Sequence, residues 1–147
     1  MSGTMAPEAL DGAHADADAP VIQPGSFAAR LNRLFHTVYP PGRGPYLSLE
    51  LVRALEARGL TLSAPYLSQL RSGRRDNPSF DTMYMIAEFF GIKSDYFTGR
   101  DAAYCARLEA ELDWLDLVHN PGVRLLTTAV AGLTPRSRER LLASAGV

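Results

Sequence analysis

The chain has 147 residues, 46% of them hydrophobic and 21% charged, with a formal net charge of −1 and one cysteine, Cys105. Such a composition fits a small globular domain with an appendage and excludes a disulfide framework, and no apolar run approaches the roughly 18 residues of a membrane span. The charge is uneven: residues 1–26 carry −4, residues 27–100 carry +4 and residues 101–147 carry −1.

Residues 1–26 hold Glu8, Asp11, Asp16 and Asp18 with no Lys or Arg. Rich in Ala, Gly, Pro and Asp and without aromatics, they cannot bury enough apolar area to offset chain entropy, so a disordered acidic tail is expected. The stretch lacks the positive and then apolar segments of a secretory leader, so a cytoplasmic location is expected. His14 lies among aspartates without the spacing of a metal loop.

From Ser26 the pattern turns helical. Phe27, Leu31, Leu34 and Val38 recur on one face, with Arg30 and Arg33 outside it. YPPGRGPY, residues 39–46, breaks that helix. A second is predicted with Ser48 as its cap, Glu50 in its first turn and Leu51, Val52 and Leu55 inward. Gly59 closes it in the left-handed conformation. After Leu60-Thr61-Leu62 a third helix starts at the capping serine Ser63, with Pro65 in its first turn, and stops at Ser72-Gly73. Ser79 caps a fourth, whose stripe is Met83, Ile86, Ala87 and Phe90, and Ile92, Tyr96 and Phe97 complete a core. No segment alternates with period two, so an all-α fold without a sheet is expected.

The short third helix raises the functional question. A helix, a turn containing glycine and a second helix form the frame of a helix-turn-helix, in which the second helix enters the major groove of DNA. Leu67 and Leu70 would pin that helix, while Ser63 and Ala64 leave its start free of bulk. Tyr66, Gln69 and Arg71 are the candidates to reach outward. Glutamine can pair bidentately with adenine and arginine with guanine, each such pair discriminating by about 1–3 kcal/mol. Arg74 and Arg75, beyond the glycine, suit backbone phosphates, and Arg43 in PPGRGP is a further candidate for the backbone. That loop lacks the Lys-Ser or Lys-Thr and the preceding strand of a phosphate cradle.

SAPYLSQLRSGRRDNPS together with MIAEFFGIKSDYFTG resembles the lambda-repressor-like, XRE-type helix-turn-helix family. The fuller run from Phe27 to Phe97 is similar to the EspR type of nucleoid-associated regulator, a narrower match carried by LNRLF-TVYPPGRGP. The likeness extends over residues 27 to 118. It implies dimeric DNA binding, with the N-terminal domain on DNA and C-terminal helices joining the protomers. It also implies recognition positions at Ser63, Ala64, Pro65, Tyr66, Gln69 and Ser72. The XRE pattern often has an acidic residue where Arg71 stands, so Arg71 is expected to contact DNA.

Beyond residue 98 the helical pattern continues. Tyr104, Leu108, Leu112, Leu115 and Val118 share one side, and Trp114 and Leu117 widen the apolar arc past what one neighbour needs. Leu108, Leu112, Trp114, Leu115 and Leu117 are therefore the candidates for a two-fold interface, with Leu108, Leu112 and Leu115 also facing inward. Glu109, Glu111, Asp113 and Asp116 read as a solvated acidic face. HNPG, residues 119–122, breaks the chain before a helix with Val123, Leu126 and Val130, and Thr134-Pro135 opens a last one.

The organisation expected is a tail at 1–26, a helix-turn-helix domain at 27–98 and a helical dimerisation region at 99–147. The function expected is a sequence-preferring, double-stranded-DNA-binding regulator in the nucleoid. It is expected to need no metal or cofactor, and neither a catalytic constellation nor a small-molecule ligand is indicated. The competing reading is a helical protein-interaction module whose DNA role is secondary.

Overall fold

A computed structural model describes residues 20–146, which carry eight helices and no strand. The helices are α1 (Phe27–Thr37), α2 (Ser48–Ala57), α3 (Ala64–Ser72), α4 (Phe80–Phe90), α5 (Asp95–Thr98), α6 (Ala102–His119), α7 (Pro121–Ala131) and α8 (Pro135–Ser144). Of the expected acidic tail, residues 1–19 lie outside the described residues. Residues 20–22 run as an irregular arm, and a turn at 23–25 leads into Ser26.

Local chemistry sets most boundaries. Ser26, Ser63, Ser79, Asp101, Asn120 and Thr134 each accept a hydrogen bond from a backbone N–H in the first turn of the following helix, which satisfies donors that the helix cannot. At its other end α2 stops in a full Schellman turn: Gly59 has φ +91°, and the N–H groups of Gly59 and Leu60 reach Glu56 O and Leu55 O, both at 3.0 Å. The cap of α2 differs from expectation. Leu47, not Ser48, occupies the position, and the Glu50 carboxylate accepts from the Leu47 N–H at 2.6 Å. Ser48 is already helical, and its hydroxyl oxygen accepts from Arg71 instead.

The core unites Leu31, Leu34 and Phe35 of α1, Leu51 and Leu55 of α2, and Leu67 and Leu70 of α3. It also takes Ile86 and Phe90 of α4, Tyr96 and Phe97 of α5, and Leu108 and Leu112 of α6. Within it α3 packs on α1 and α2, α2 packs on α4, and α6 packs on α1 and α5. Phe35 and Phe90 meet edge to face with centroids 5.2 Å apart, a geometry that adds to area burial. The Tyr96 hydroxyl donates to Glu109, and its burial together with that carboxylate holds the phenol pKa above its ordinary value. Cys105 is a half-buried free thiol beside the Asp95 carbonyl.

The acidic face of α6 is solvated as expected, with the Glu109, Asp113 and Asp116 side chains 46%, 74% and 36% exposed, and it is also paired. Glu109, Asp113 and Asp116, spaced four and three apart, gather around Arg33 of α1, and only Glu111 of that acidic set lacks an ion pair among the described residues. Thr37 Oγ1 donates to Asp116 at 3.2 Å, while His119 bonds the Thr37 carbonyl at 2.9 Å and stacks on Tyr39. The acidic face is thus a polar seam that sews α6 along α1. Farther on support thins out: α7 packs against α6, and neither α7 nor α8 has a buried residue.

Candidate nucleic-acid interface

The third helix sits at the surface as a rod fastened along one edge. Leu67 and Leu70 are fully buried, whereas Ser63, Ala64, Pro65 and Ser68 are exposed. The alternation follows from helical geometry, because positions three apart share a face and those between them turn away. Pro65 fits the first turn because the N–H it lacks has no partner there in any case. Ser63 Oγ accepts from the Tyr66 N–H at 3.2 Å. Tyr66 and Gln69 are half-buried, with Tyr66 leaning on the core cluster. The Gln69 amide makes no hydrogen bond among the described residues. Exposed Ser68, midway along the rod, was not singled out from sequence, because a serine between two leucines carries no distinguishing signal.

The carboxyl end of α3 carries the positive charge. Gly73 has φ +80°, a conformation costly for any residue with a Cβ, and it turns the chain so that the Arg75 N–H bonds back to Gln69 O at 3.1 Å. Ser72 Oγ donates to the same carbonyl at 3.2 Å, so Ser72 helps to form the elbow. Arg74 and Arg75 leave that elbow exposed, and neither enters an ion pair among the described residues.

Arg71 stands apart from its two neighbours. Its Nε donates to Asn32 Oδ1 at 2.9 Å and its Nη1 to Ser48 Oγ at 2.7 Å, and its guanidinium lies 4.1 Å from the Phe35 ring centroid. Asn32 Nδ2 returns a bond to the Arg71 carbonyl at 2.8 Å. No carboxylate pairs with it among the described residues, and burial pushes its pKa below the ordinary arginine value. The planar fork suits such a site, since it satisfies two acceptors while stacking on an aromatic face. Instead of joining Arg74 and Arg75 at the surface, Arg71 ties α3 to α1 and α2. Asn32 and Ser48 were missed as its anchors. The one hint was Asn32, a polar residue three positions before Phe35 on the inward side of α1.

Arg43 lies in the loop before α2, bonded to Glu50 at 2.8 Å with its guanidinium 4.4 Å from the Tyr46 ring centroid. The Arg43 guanidinium and the Leu47 N–H hold the Glu50 carboxyl below the usual carboxylate range. The pair is at the surface and its partner offsets its charge, so Arg43 offers less to an anion than Arg74 or Arg75.

The expected interface residues divide. Leu108 and Leu112 are 7% and 1% exposed and belong to the protomer's own core, out of reach of a partner. They are inward, as the stripe predicts, because burying it against α1 and α5 sets the rotation of α6, and the exposed pairs to Arg33 add little to that. Leu115 is half-buried against that core, whereas Trp114 and Leu117 are 65% and 50% exposed. Val118, Leu125, Leu126, Leu141 and Leu142 are exposed as well. Trp114, Leu117 and Val118 line a groove with Val123 and Thr127 of α7.

No protein-family model matches the chain. Across 117 residues it is 54% identical to the nucleoid-associated protein EspR of Mycobacterium tuberculosis, in strain CDC 1551 / Oshkosh and equally in strain ATCC 25618 / H37Rv. The matched stretch is 80% of this chain and 87% of the relative. An identity of that level over nearly the whole relative settles kinship: the chain belongs to the family of the nucleoid-associated protein EspR.

Proposed function

We propose that the chain binds double-stranded DNA through a helix-turn-helix of the XRE type made by α2 and α3. It would act as a sequence-preferring, nucleoid-associated regulator in the cytoplasm and work as a dimer. The observation that carries this reading is the form of α3: two fully buried leucines, an exposed small-residue start and two exposed arginines at its end. A rod of that kind can enter the major groove to the depth at which Gln69 and Tyr66 meet base edges. Ser63, Ala64 and Pro65 lie at its tip, where free backbone N–H groups favour a phosphate. Arg74 and Arg75 grip the sugar-phosphate backbone, with Arg43 secondary, and Arg71 positions the helix. The relative's designation as nucleoid-associated supports the same reading.

Substitution separates the roles. Gln69→Ala is expected to relax base preference while leaving non-specific affinity within about two-fold, since one bidentate pair carries about 1–3 kcal/mol of discrimination. Arg74→Ala is expected to weaken all sequences alike and to reduce the salt slope by about one ion. Titrations of matched and scrambled duplexes at two salt concentrations check both. Unchanged binding by both variants would remove α3 from the interface.

The dimer rests on the exposed apolar surface of α6, α7 and α8. Trp114 and Leu117 line a groove with α7, and Leu125 and Leu126 of α7 are exposed as well, exposed apolar side chains of the kind that mark an association surface, and reading paired half-sites calls for two-fold symmetry. Trp114→Asp is expected to give a monomer in sedimentation velocity at micromolar concentration with helical content retained, and persistence of the dimer would place the contact elsewhere. The same surface would also serve a protein-interaction module. Salt-insensitive capture of a protein, without duplex binding, would favour that reading.

A further inference from the structure

Arg71 lines a cleft as well as holding its anchors. Between α1, the loop before α2 and the end of α3 lies a cavity of about 340 Å³, bounded by Asn32, Phe35, His36, Pro45, Tyr46 and Arg71. That size falls at the lower end of small-ligand sites. Its polar side chains offer donors. The bonds from Arg71 to Asn32 and Ser48 engage Nε and Nη1 and leave Nη2 without an acceptor among the described residues. No buried side-chain nitrogen or oxygen lacks a partner among those residues, so Nη2 is within reach of solvent. Asn32 Oδ1 already accepts from Arg71, while Asn32 Nδ2 gives one hydrogen to the Arg71 carbonyl and keeps the other. His36, four residues farther along the same side of α1, is exposed and lines the same cleft. No Asp or Glu is among the lining residues.

We propose that this cleft binds a phosphate group, received by Arg71 Nη2 with Asn32 Nδ2 and His36 beside it. The site stands on the cleft itself, and only its effect on DNA rests on the DNA-binding reading. A cation that has given up part of its hydration without gaining a counter-ion attracts an arriving oxyanion more strongly than an exposed one does, because less water screens the pair. The same loss of hydration lowers the Arg71 pKa. Arg74 and Arg75, both exposed, attract phosphate only through screened charge. Donors from three side chains suit the several oxygens of a phosphate, whereas one arginine fork already satisfies a carboxylate. Two sources supply such a group: the backbone of a bound duplex, or a free phosphate or phosphomonoester. From either source it touches α1 and α3 at the residue that ties them together, so occupancy of the cleft is coupled to the seat of the reading helix.

The experiment titrates sodium phosphate into the full chain, balanced by sodium chloride to a constant ionic strength of about 150 mM. It follows the Arg71 Nε–H and Asn32 side-chain amide resonances. Both are expected to shift saturably, with half-saturation at about 1–10 mM for so small a ligand, while those of Arg74 and Arg75 drift without saturating. His36→Glu brings a carboxylate to the cleft and leaves the bonds of Arg71 to Asn32 and Ser48 in place. It is expected to lose the saturable shift and to keep the parent's urea midpoint. No saturable shift in the parent, or an equal one in His36→Glu, overturns the proposal and leaves the DNA-binding reading standing. Added duplex then identifies the source. A backbone phosphate shifts the Arg71 resonance by itself, and about 20 mM phosphate weakens duplex binding at least about three-fold beyond the chloride control. A free phosphate instead keeps its saturable shift on the duplex-bound chain, with duplex affinity undiminished. A chain that binds no duplex ends the DNA-binding reading, and the titration of the free chain still decides the cleft.

Discussion

Replacing Arg71 with methionine is expected to lower the free energy of unfolding by about 2 kcal/mol and to weaken duplex binding at least about ten-fold. The guanidinium makes two side-chain hydrogen bonds to α1 and α2 and lies over Phe35. Hydrogen bonds from a charged donor contribute about 1.5–3 kcal/mol each, and a partly desolvated cation over an aromatic ring about 1–2 kcal/mol. Part of that total is offset, because methionine packs on Phe35 and a half-buried cation without a carboxylate partner no longer has to be desolvated. What remains unpaired is Asn32 Oδ1 and Ser48 Oγ, near enough to solvent to recover some hydration.

The loss of binding follows from position. Arg71 joins the last turn of α3 to α1 and to the first turn of α2, so its removal frees the tilt of the reading helix, and recognition tolerates about half an ångström of such play. Arg71→Lys is expected to rescue little, since an ammonium on a flexible stem cannot span both acceptors while lying flat on Phe35. Urea midpoints and duplex titrations of the same preparations check the claim. A variant with an unchanged midpoint, weaker binding and a salt slope reduced by one ion would make Arg71 a phosphate contact and overturn its role as an anchor.

Leu112→Ala is expected to cost about 3 kcal/mol, within the span of about 2–5 kcal/mol measured for buried leucines. Leu112 is 1% exposed in a cluster that joins α6 to α1 and α5, and the surrounding helices are held by the seam to Arg33, which limits their collapse into the void. The expected signature is a lower urea midpoint by the same amount at every protein concentration. Trp114→Asp, two residues farther along the same helix and on its exposed side, should instead act through association. If Leu112→Ala left the midpoint of dilute protein untouched and shifted only the dimer equilibrium, Leu112 would belong to the interface after all.

These two residues show where sequence reasoning reached and where it stopped. The stripe of Leu108, Leu112 and Leu115 was legible as apolar and helical, and the added width from Trp114 and Leu117 was legible too. The inward edge of Leu108, Leu112 and Leu115 was legible as well, but not the partner that runs beside it, because Arg33, some eighty residues distant in sequence, meets Glu109, Asp113 and Asp116 only once α6 lies along α1. The same long-range pairing makes the solvated acidic face of α6 a contact to α1 as well. Arg71 was read by its charge and its place beside Gly73. Its destination depended on Asn32 and Ser48, residues that look like ordinary surface positions until three helices are brought together.

By itself the amino-acid order determined the all-helical character, the capping residues of α3, α4 and α8, the stops at Gly59 and Gly73, and the apolar stripe of each helix in the core. Those features depend on interactions within one or two turns, where a serine oxygen, a proline ring or a missing Cβ acts on its immediate neighbours. Tertiary structure alone decided that the Ser48 hydroxyl would serve Arg71, that Arg71 would turn inward, and that Glu109, Asp113 and Asp116 would gather around Arg33. Each of those outcomes is a choice among several partners by a long or mobile side chain, and the partners become neighbours only after the helices pack.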